Sequence, residues 1–185
     1  MGQPKPHEPV CLIVGMLSAW PELLDRAGEA LVSRLGPVLR QSDTFPFDFT
    51  DYYRDEMGDG IKRKFLAFER PFPPARLVRV KLMTNEMEAM FAREHRQVPR
   101  PVNLDPGYLT PAKLVLATTK DYAHRIYMHS GIYAEVTLTY HRGTYQPMPW
   151  TYPDYRTEAY RHFFDEVRAE WLARTRRSAA EGYSQ

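Results

Sequence analysis

The chain has 185 residues, of which 43% are hydrophobic and 13% aromatic, so composition predicts one folded domain with a substantial core. A net charge of +2 gives no electrostatic reason to expect nucleic-acid binding, although a local basic patch stays open. The longest apolar run, residues 10–19, is about half a membrane-spanning helix, so no membrane partner is expected. A single cysteine, Cys11, and an N-terminus without a signal-peptide pattern favour a cytoplasmic location.

The chain divides into two predicted tails and one domain. Residues 1–9 are proline-rich and predict a disordered N-terminal tail, and residues 174–185 are polar and aperiodic and predict a flexible C-terminal tail. Residues 10–173 contain all the strong periodicity and no internal linker. They are therefore predicted to form a single domain.

The first half of the domain alternates strands and helices. Residues 10–17 form a continuous apolar run that predicts a central strand buried on both faces. A helix follows, with Ser18 as its cap and Gly36-Pro37 as its stop. Alternating aromatic residues from Phe45 predict a short strand at an edge, since it contains a proline, and residues 61–72 predict its returning hairpin partner.

The second half begins with a helix and continues as a meander. Pro73-Pro74 opens a predicted helix that extends to about residue 95. Strands are then predicted near residue 102 and at residues 113–119, 122–128 and 132–140, followed by a helix over residues 157–173. The fold class is therefore α+β: a single-domain sandwich that starts with a ferredoxin-like β-α-β-β-α-β unit and adds an antiparallel meander and a C-terminal helix.

Several familiar chemistries lack their motifs. The chain contains no phosphate-binding Gly-x-x-x-x-Gly-Lys-Ser/Thr loop and no Gly-x-Gly-x-x-Gly. Thr119-Lys120-Asp121 superficially resembles the guanine-binding element of GTPases, but without a phosphate-binding loop it gives little support to GTPase activity. The six histidines form no His-Glu-x-x-His pair and have no cysteine partners, so no metal site is predicted. The sequence identifies no cofactor.

The first candidate constellation is Asp105-Pro106-Gly107-Tyr108, together with Asn103. Asp before Pro-Gly is ordinary β-turn chemistry. An acid at the start of such a turn can alternatively hold a metal ion or a sugar hydroxyl. Both interpretations stay open on the sequence alone.

The second constellation lies between the predicted strands at 113–119 and 132–140. His124 can act as a general acid or base, with Asp121 to orient it, and Lys120 and Arg125 can hold a phosphate or a carboxylate. In a strand over residues 122–128, His124 and Arg125 would point to opposite faces. The alternative is structural: a cross-strand salt bridge and a hydrogen-bonded histidine.

Glu135 is the third candidate. A hairpin closed at Ser130-Gly131 would bring Glu135 close to Tyr127 or Ile126, with Arg125 and His124 within a residue or two of register error. There the carboxylate can pair with Arg125, orient His124 or ligate a cation. A solvated strand face is the alternative.

Long strings of this sequence resemble an uncharacterised bacterial domain family of unknown function, some of whose members are loosely labelled GTP-binding. The strings are Phe49-Thr-Asp-Tyr-Tyr53, Thr84-Asn-Glu86, the block 103–127, Gly131-Ile-Tyr-Ala-Glu-Val-Thr137 and Pro149-Trp-Thr-Tyr-Pro-Asp-Tyr155. The resemblance covers about residues 8 to 172. It implies a soluble single-domain bacterial protein and supplies no catalytic residues.

The leading hypothesis is a pocket for a small anionic ligand, a nucleotide or phosphorylated metabolite, beside the strand at 113–119. If the site is catalytic, it performs phosphate ester chemistry with His124, Glu135 and Asp121. The ligand-binding candidates are Asn103, Asp105, Tyr108, Lys113, Lys120, Arg125 and Tyr127. The alternative is a non-catalytic protein- or RNA-interaction module that uses its aromatic residues. A scaffold without a ligand would have no pocket.

Overall fold

The computed structural model describes residues 2–50 and 53–182, with side chains described as far as residue 177. One sheet and four α-helices form the described part of the chain. The helices are α1 (Pro21–Leu35), α2 (Arg54–Met57), α3 (Leu77–Glu94) and α4 (Glu158–Gly182). The strands are β1 (Cys11–Ser18), β2 (Val38–Gln41), β3 (Phe45–Pro46), β4 (Lys62–Phe68), β5 (Asn103–Leu109), β6 (Lys113–Thr118), β7 (Ile126–His129), β8 (Ile132–His141) and β9 (Thr144–Pro147).

The sheet order confirms the predicted α+β fold class. The strands run β2-β4-β1-β5-β6-β8-β7, with β3 beside β4 and β9 beside β8. All the described strand pairs are antiparallel. The arrangement β2-β4-β1-β5 with α1 and α3 is a ferredoxin-like unit, and β6 to β9 are the meander.

Two apolar cores sandwich the sheet, as the buried first strand predicts. Every residue of β1 is buried. Because side chains alternate along a strand, Leu12 and Val14 face the core under α1 and α3, whereas Cys11 and Ile13 face the core under α4. Burial raises the pKa of the Cys11 thiol to about 12, so this cysteine stays protonated at neutral pH.

The sheet splits between β5 and β6. These strands pair only where Gly107–Leu109 lies beside Leu114–Leu116. Upstream, residues 103–106 pair with β1 alone. There the Leu104 N–H donates to Glu88 Oε1 at 2.7 Å, and its carbonyl accepts from Lys81 Nζ at 2.9 Å. Side chains of α3 thus replace the missing strand.

The predicted β-turn at Asp105-Pro106-Gly107-Tyr108 is therefore wrong, because these residues lie inside β5. Backbone groups of an antiparallel strand alternate in direction, so Pro106 turns the same edge as Leu104 toward the split. The missing N–H of Pro106 thus removes no bond to β1. That position explains how an interior strand tolerates a proline.

The strand predicted at residues 122–128 is shorter than expected. β7 begins only at Ile126, and the preceding residues form a turn in which the Arg125 N–H donates to the Tyr122 carbonyl at 2.9 Å. The turn lets the Arg125 side chain enter the protein. The strand predicted from Phe45 is likewise reduced to two residues, and β2, a short edge strand after the Gly36-Pro37 stop, was not predicted.

The C-terminal end of the chain differs from the prediction. α4 continues to Gly182, past residue 173, and Arg174 on it pairs with Glu69 at 2.5 Å. The residues expected to form a tail thus extend the helix, and their flexibility stays a prediction. Residues 2–9 are exposed and form no helix or strand, while Met1 and residues 183–185 lie outside the described residues. None of the described helices combines the length and apolarity needed to span a bilayer.

Candidate functional site

A cavity of about 490 Å³ opens at the split between β5 and β6. It lies on the sheet face that α4 covers farther along, since the lining residues Arg63, Asp105 and Leu116 share strand faces with core residues under α4. Its charged lining comprises the cations Arg63, Lys81, Arg100, Lys120 and Arg125 and the carboxylates Asp105, Glu135 and Asp154. Five positive groups thus face three negative ones.

One wall is a buried ion-pair cluster around Arg63. Its guanidinium donates to Asp105 Oδ2 at 3.0 Å and to Asp154 Oδ2 at 3.1 Å, and its side chain is only 4% exposed. Arg63 crosses β1 at Gly15 to reach Asp105, and a Cβ atom at Gly15 would lie 2.9 Å from its Nη1 atom. The Asn103 amide also donates to Asp105 Oδ2, at 2.7 Å. The cluster fixes Asp105 at the floor of the cavity.

The two carboxylates of this cluster have opposite pKa shifts. Burial opposes ionisation of Asp105, but the attraction of Arg63 and Lys81 outweighs it and lowers the pKa of Asp105. For Asp154 burial dominates over the attraction of Arg63 and raises the pKa. The surroundings of Asp105 therefore favour its ionised form, whereas those of Asp154 disfavour it.

A second buried ion pair, Arg125–Glu135, forms another wall. Arg125 Nε donates to Glu135 Oε2 at 2.7 Å, and both side chains are 2% exposed. The remaining guanidinium nitrogens donate to the Lys120 carbonyl at 3.0 Å and to the Tyr152 hydroxyl at 2.7 Å. Burial opposes the charge, but the bonds to Glu135 and Tyr152 outweigh it and raise the pKa of Arg125. Arg125 thereby ties the loop after β6 to the segment before α4.

Lys81 enters the cavity from the opposite face of the sheet. Its side chain leaves α3, passes the split and donates to the Leu104 carbonyl at 2.9 Å. Among the described residues the buried cations are Arg63, Lys81 and Arg125, and Lys81 is the one without a carboxylate within ion-pair distance. Glu88 and Asp105 attract it only from farther away. An ammonium group has three donors, so two remain for another acceptor.

Arg100, on the loop after α3, closes the end of the cavity next to Lys81. Its guanidinium donates to Glu88 Oε2 at 3.2 Å and to the side-chain oxygen of Asn103. Burial disfavours the charge, but Glu88 outweighs this and raises the pKa of Arg100. Arg100 is thus largely committed to the protein's own acceptors.

The structure brings together half of the residues predicted from the sequence. Asn103, Asp105, Lys120, Arg125 and Glu135 all line the cavity. His124 does not line it, although its Nε2 atom lies 3.2 Å from Glu135 Oε2. The His124 ring instead stacks on Trp150, with 5.3 Å between the ring centroids. The imidazole therefore contacts the site through Glu135 and is not part of the cavity lining.

The other four predicted residues lie away from the cavity. Tyr108 packs against the core under α1 and α3, on the opposite sheet face. Lys113 begins β6 and lies at the strand end remote from Lys120. Asp121 is exposed and bonds the Tyr133 hydroxyl, and Tyr127 contacts the same Tyr133 ring from β7.

Sequence reasoning missed Lys81 and Arg63, although both carry a readable signal. Lys81 lies four residues after Leu77 and three before Thr84, in the stripe of α3 that is buried, so a cation interrupts the core-facing positions. Arg63 alternates with Phe65 and Ala67 on the inward face of β4. A charged residue at a position that periodicity assigns to the core marks a buried polar site. The contributions of Tyr152 and Asp154 come from an irregular segment and had no such signal.

The described residues contain no group of three or more His, Cys, Asp or Glu side chains arranged to hold a metal ion. Residues 8–171 match the model of a family described as Domain of unknown function (DUF4416). Neither a curated protein nor a solved structure matches the chain. Interpretation of the cavity therefore depends on its own geometry.

Proposed function

The chain belongs to the DUF4416 family, and we propose that its cavity binds a small anionic ligand, a nucleotide or a phosphorylated metabolite. The observation that carries this proposal is Lys81, a buried ammonium at the cavity wall whose one hydrogen-bond partner among the described residues is a backbone carbonyl. Glu88 and Asp105 attract the ammonium, but neither lies within ion-pair distance, and a buried charge that contacts no counter-ion is costly. An anion in the cavity supplies that counter-ion, and phosphate oxygens are suitable acceptors for the two remaining N–H groups.

The surroundings of Lys81 support an anion. Five of the eight charged side chains on the lining are cations, and one of them, Arg100, is paired with Glu88 behind the lining. A volume of about 490 Å³ lies within the range of small-molecule sites. Two rigid ion pairs, Arg63–Asp105 and Arg125–Glu135, hold the walls in place before a ligand arrives. A scaffold without a ligand would not need a cavity with such a lining.

Catalysis is not part of the proposal. His124, the expected proton carrier, lies outside the cavity, and its Nε2 atom already contacts Glu135. Asp121 is exposed on the loop. An RNA-interaction module has less support as well, since such a module needs a bare aromatic sheet face, whereas α1 and α3 cover one face and α4 covers much of the other.

The test is a thermal-shift screen followed by calorimetric titration. The compounds are nucleoside monophosphates, ribose 5-phosphate and inorganic phosphate, with wild type, Lys81→Met and Lys113→Met compared in parallel. Lys113 is the control because it is a lysine at the start of β6 and does not line the cavity. Hydrogen bonds to a charged group contribute about 1.5–3 kcal/mol, so Lys81→Met is expected to weaken binding about 10- to 100-fold.

Lys113→Met is expected to bind as tightly as wild type. The proposal is wrong if no phosphorylated compound stabilises the wild-type protein, or if Lys81→Met and wild type bind with equal affinity.

A further inference from the structure

Exposed aromatic rings are concentrated at the mouth of the cavity. Four aromatic side chains among the described residues are strongly exposed: Phe49 (37%), Tyr122 (55%), Tyr127 (58%) and Tyr152 (40%). All except Tyr127 line the cavity. Large aromatic side chains usually bury much of their surface. A group of solvent-exposed rings around one opening therefore marks a recognition surface.

Arg125 holds two of these rings in place. Its guanidinium carbon lies 4.6 Å from the centroid of the Tyr122 ring, and one of its nitrogens donates to the Tyr152 hydroxyl at 2.7 Å. The bond to Glu135 in turn fixes Arg125 itself. The His124 ring stacks parallel to the Tyr122 ring, with an angle of 3° between the two planes, and this contact also holds the Tyr122 ring in place. The two phenols are therefore ordered without a ligand, which reduces the entropy that binding must remove.

The chemistry of the lining changes along the cavity. Lys81 at the split provides charge and hydrogen-bond donors, Asp105 at the floor provides an ionised acceptor, and Tyr122 and Tyr152 at the mouth provide ring faces. A phosphate suits the first region and a hydroxyl group the second. A flat π-system suits the third, because every nucleobase can stack on an aromatic side chain.

We infer that the ligand is a ring-bearing phosphate ester of the size of a nucleoside monophosphate, with its ring against Tyr122 and Tyr152 and its phosphate at Lys81. This inference rests on the proposed anion site and narrows it from phosphorylated compounds in general. A single buried ammonium that contacts no carboxylate fits one phosphate group better than a triphosphate. Helices over both sheet faces limit the stacking surface to the cavity mouth, which favours one nucleotide over a strand.

The experiment is calorimetric titration of AMP, UMP and ribose 5-phosphate into the wild-type protein, Tyr122→Ala and Tyr127→Ala. Ribose 5-phosphate carries the sugar and phosphate without the ring. Stacking on one aromatic side chain is expected to make wild type prefer AMP over ribose 5-phosphate by about 5- to 100-fold. Tyr122→Ala is expected to remove most of this preference and to leave the affinity for ribose 5-phosphate unchanged.

Tyr127→Ala is the matched control, because Tyr127 is equally exposed and lies outside the cavity. It is expected to retain the wild-type preference. If wild type binds AMP and ribose 5-phosphate with equal affinity, and Lys81→Met binds neither, the ligand has no stacking ring and this inference is wrong. The proposed anion site would still be supported. A preference that survives Tyr122→Ala, or disappears equally in Tyr127→Ala, would also overturn this inference. Absence of binding by all three compounds would instead remove the proposed function itself.

Discussion

The two halves of β5 have different neighbours and different tasks. Residues 107–109 pair with β1 on one side and β6 on the other, whereas residues 103–106 pair with β1 only. In the closed half, Gly107 lies so near β6 that a Cβ atom there would be 2.3 Å from the Val115 carbonyl oxygen. In the open half, Glu88 and Lys81 bond Leu104 in place of a strand, and the cavity forms beside them.

This difference shows how one strand can serve both the core and a site. Where β5 pairs closely with β6, Gly107 is needed because it has no side chain. Where β5 and β6 separate, polar side chains must form hydrogen bonds with the unpaired backbone groups. Those polar groups then remain available near the opening. Mutations in the two halves should therefore have different consequences, and the cations Arg63 and Lys81 should differ as well.

The largest effect is expected for Arg63→Met at the open half. Its removal would leave the buried Asp154 and the partly buried Asp105 without their common cation, which is expected to lower the free energy of unfolding by about 3–5 kcal/mol. Urea denaturation at neutral pH measures this change. Arg40→Met is the control, because Arg40 also pairs with two carboxylates but is 37% exposed, and a loss of at most about 1 kcal/mol is expected. Similar losses in both variants would contradict the structural role given to Arg63.

Asp105→Asn is expected to cost about 1.5–3 kcal/mol at neutral pH, since a charged hydrogen bond to Arg63 is lost. The pKa of Asp105 is lowered in the folded protein, so its stabilising contribution is present above the unfolded pKa of about 3.9. That contribution is lost as pH falls through the lower folded value. Urea midpoints of wild type and Asp105→Asn should therefore converge as pH falls below about 4.

The exposed carboxylate of Asp25 provides the control for this titration, and Asp25→Asn should differ little from wild type across the same range. A gap between wild type and Asp105→Asn that stays constant down to low pH would contradict the assignment of the ionised carboxylate.

Gly107→Ala tests the closed half. The added methyl group would meet a backbone carbonyl that only a displacement of β6 can relieve, so a loss of about 1–3 kcal/mol is expected. Gly28→Ala is the matched control on α1, where the nearest atom would be 3.8 Å away and a helical alanine should gain about 0.5–1 kcal/mol. The account of the closed half predicts opposite signs for these two variants in thermal denaturation.

The smallest stability effect is expected for Lys81→Met, within about 1 kcal/mol. The variant removes a donor to the Leu104 carbonyl and the attraction of the ammonium for Glu88 and Asp105, but it also removes the cost of burying a charge that contacts no carboxylate. These contributions oppose one another. Denaturation in urea without ligand measures the sum, and a loss comparable to that of Arg63→Met would make Lys81 a structural cation instead of a binding group.

The sequence predicts the fold better than the site. Periodicity correctly assigns β1, α1 and α3, because each buries a continuous apolar face. It fails at Asp105-Pro106-Gly107, where local turn preference is overridden by pairing with β1 across the sheet. Such pairing depends on a partner 90 or more residues away in the chain, which local patterns do not contain.

The site shows the same limit. Arg125 and Glu135 are close in sequence, so the register of the predicted hairpin places them near each other, and the structure pairs them. Lys81 and Arg63 reach the cavity from α3 and β4, and only the three-dimensional packing joins them to Asp105. Interrupted apolar periodicity marks each of them as unusual, but the sequence does not reveal that both meet at one split.

The most direct test of the ligand site is an NMR titration of the ¹⁵N-labelled protein with AMP, in wild type and in Lys81→Met. We predict that the largest amide shift changes occur at Leu104 and Asp105 in the open half of β5 and at Lys120 and Tyr122 beyond β6, and that Lys81→Met abolishes them at the same AMP concentration. Shift changes confined to residues outside the cavity, or unchanged in Lys81→Met, would contradict the claim that the split in the sheet is an anion-binding site.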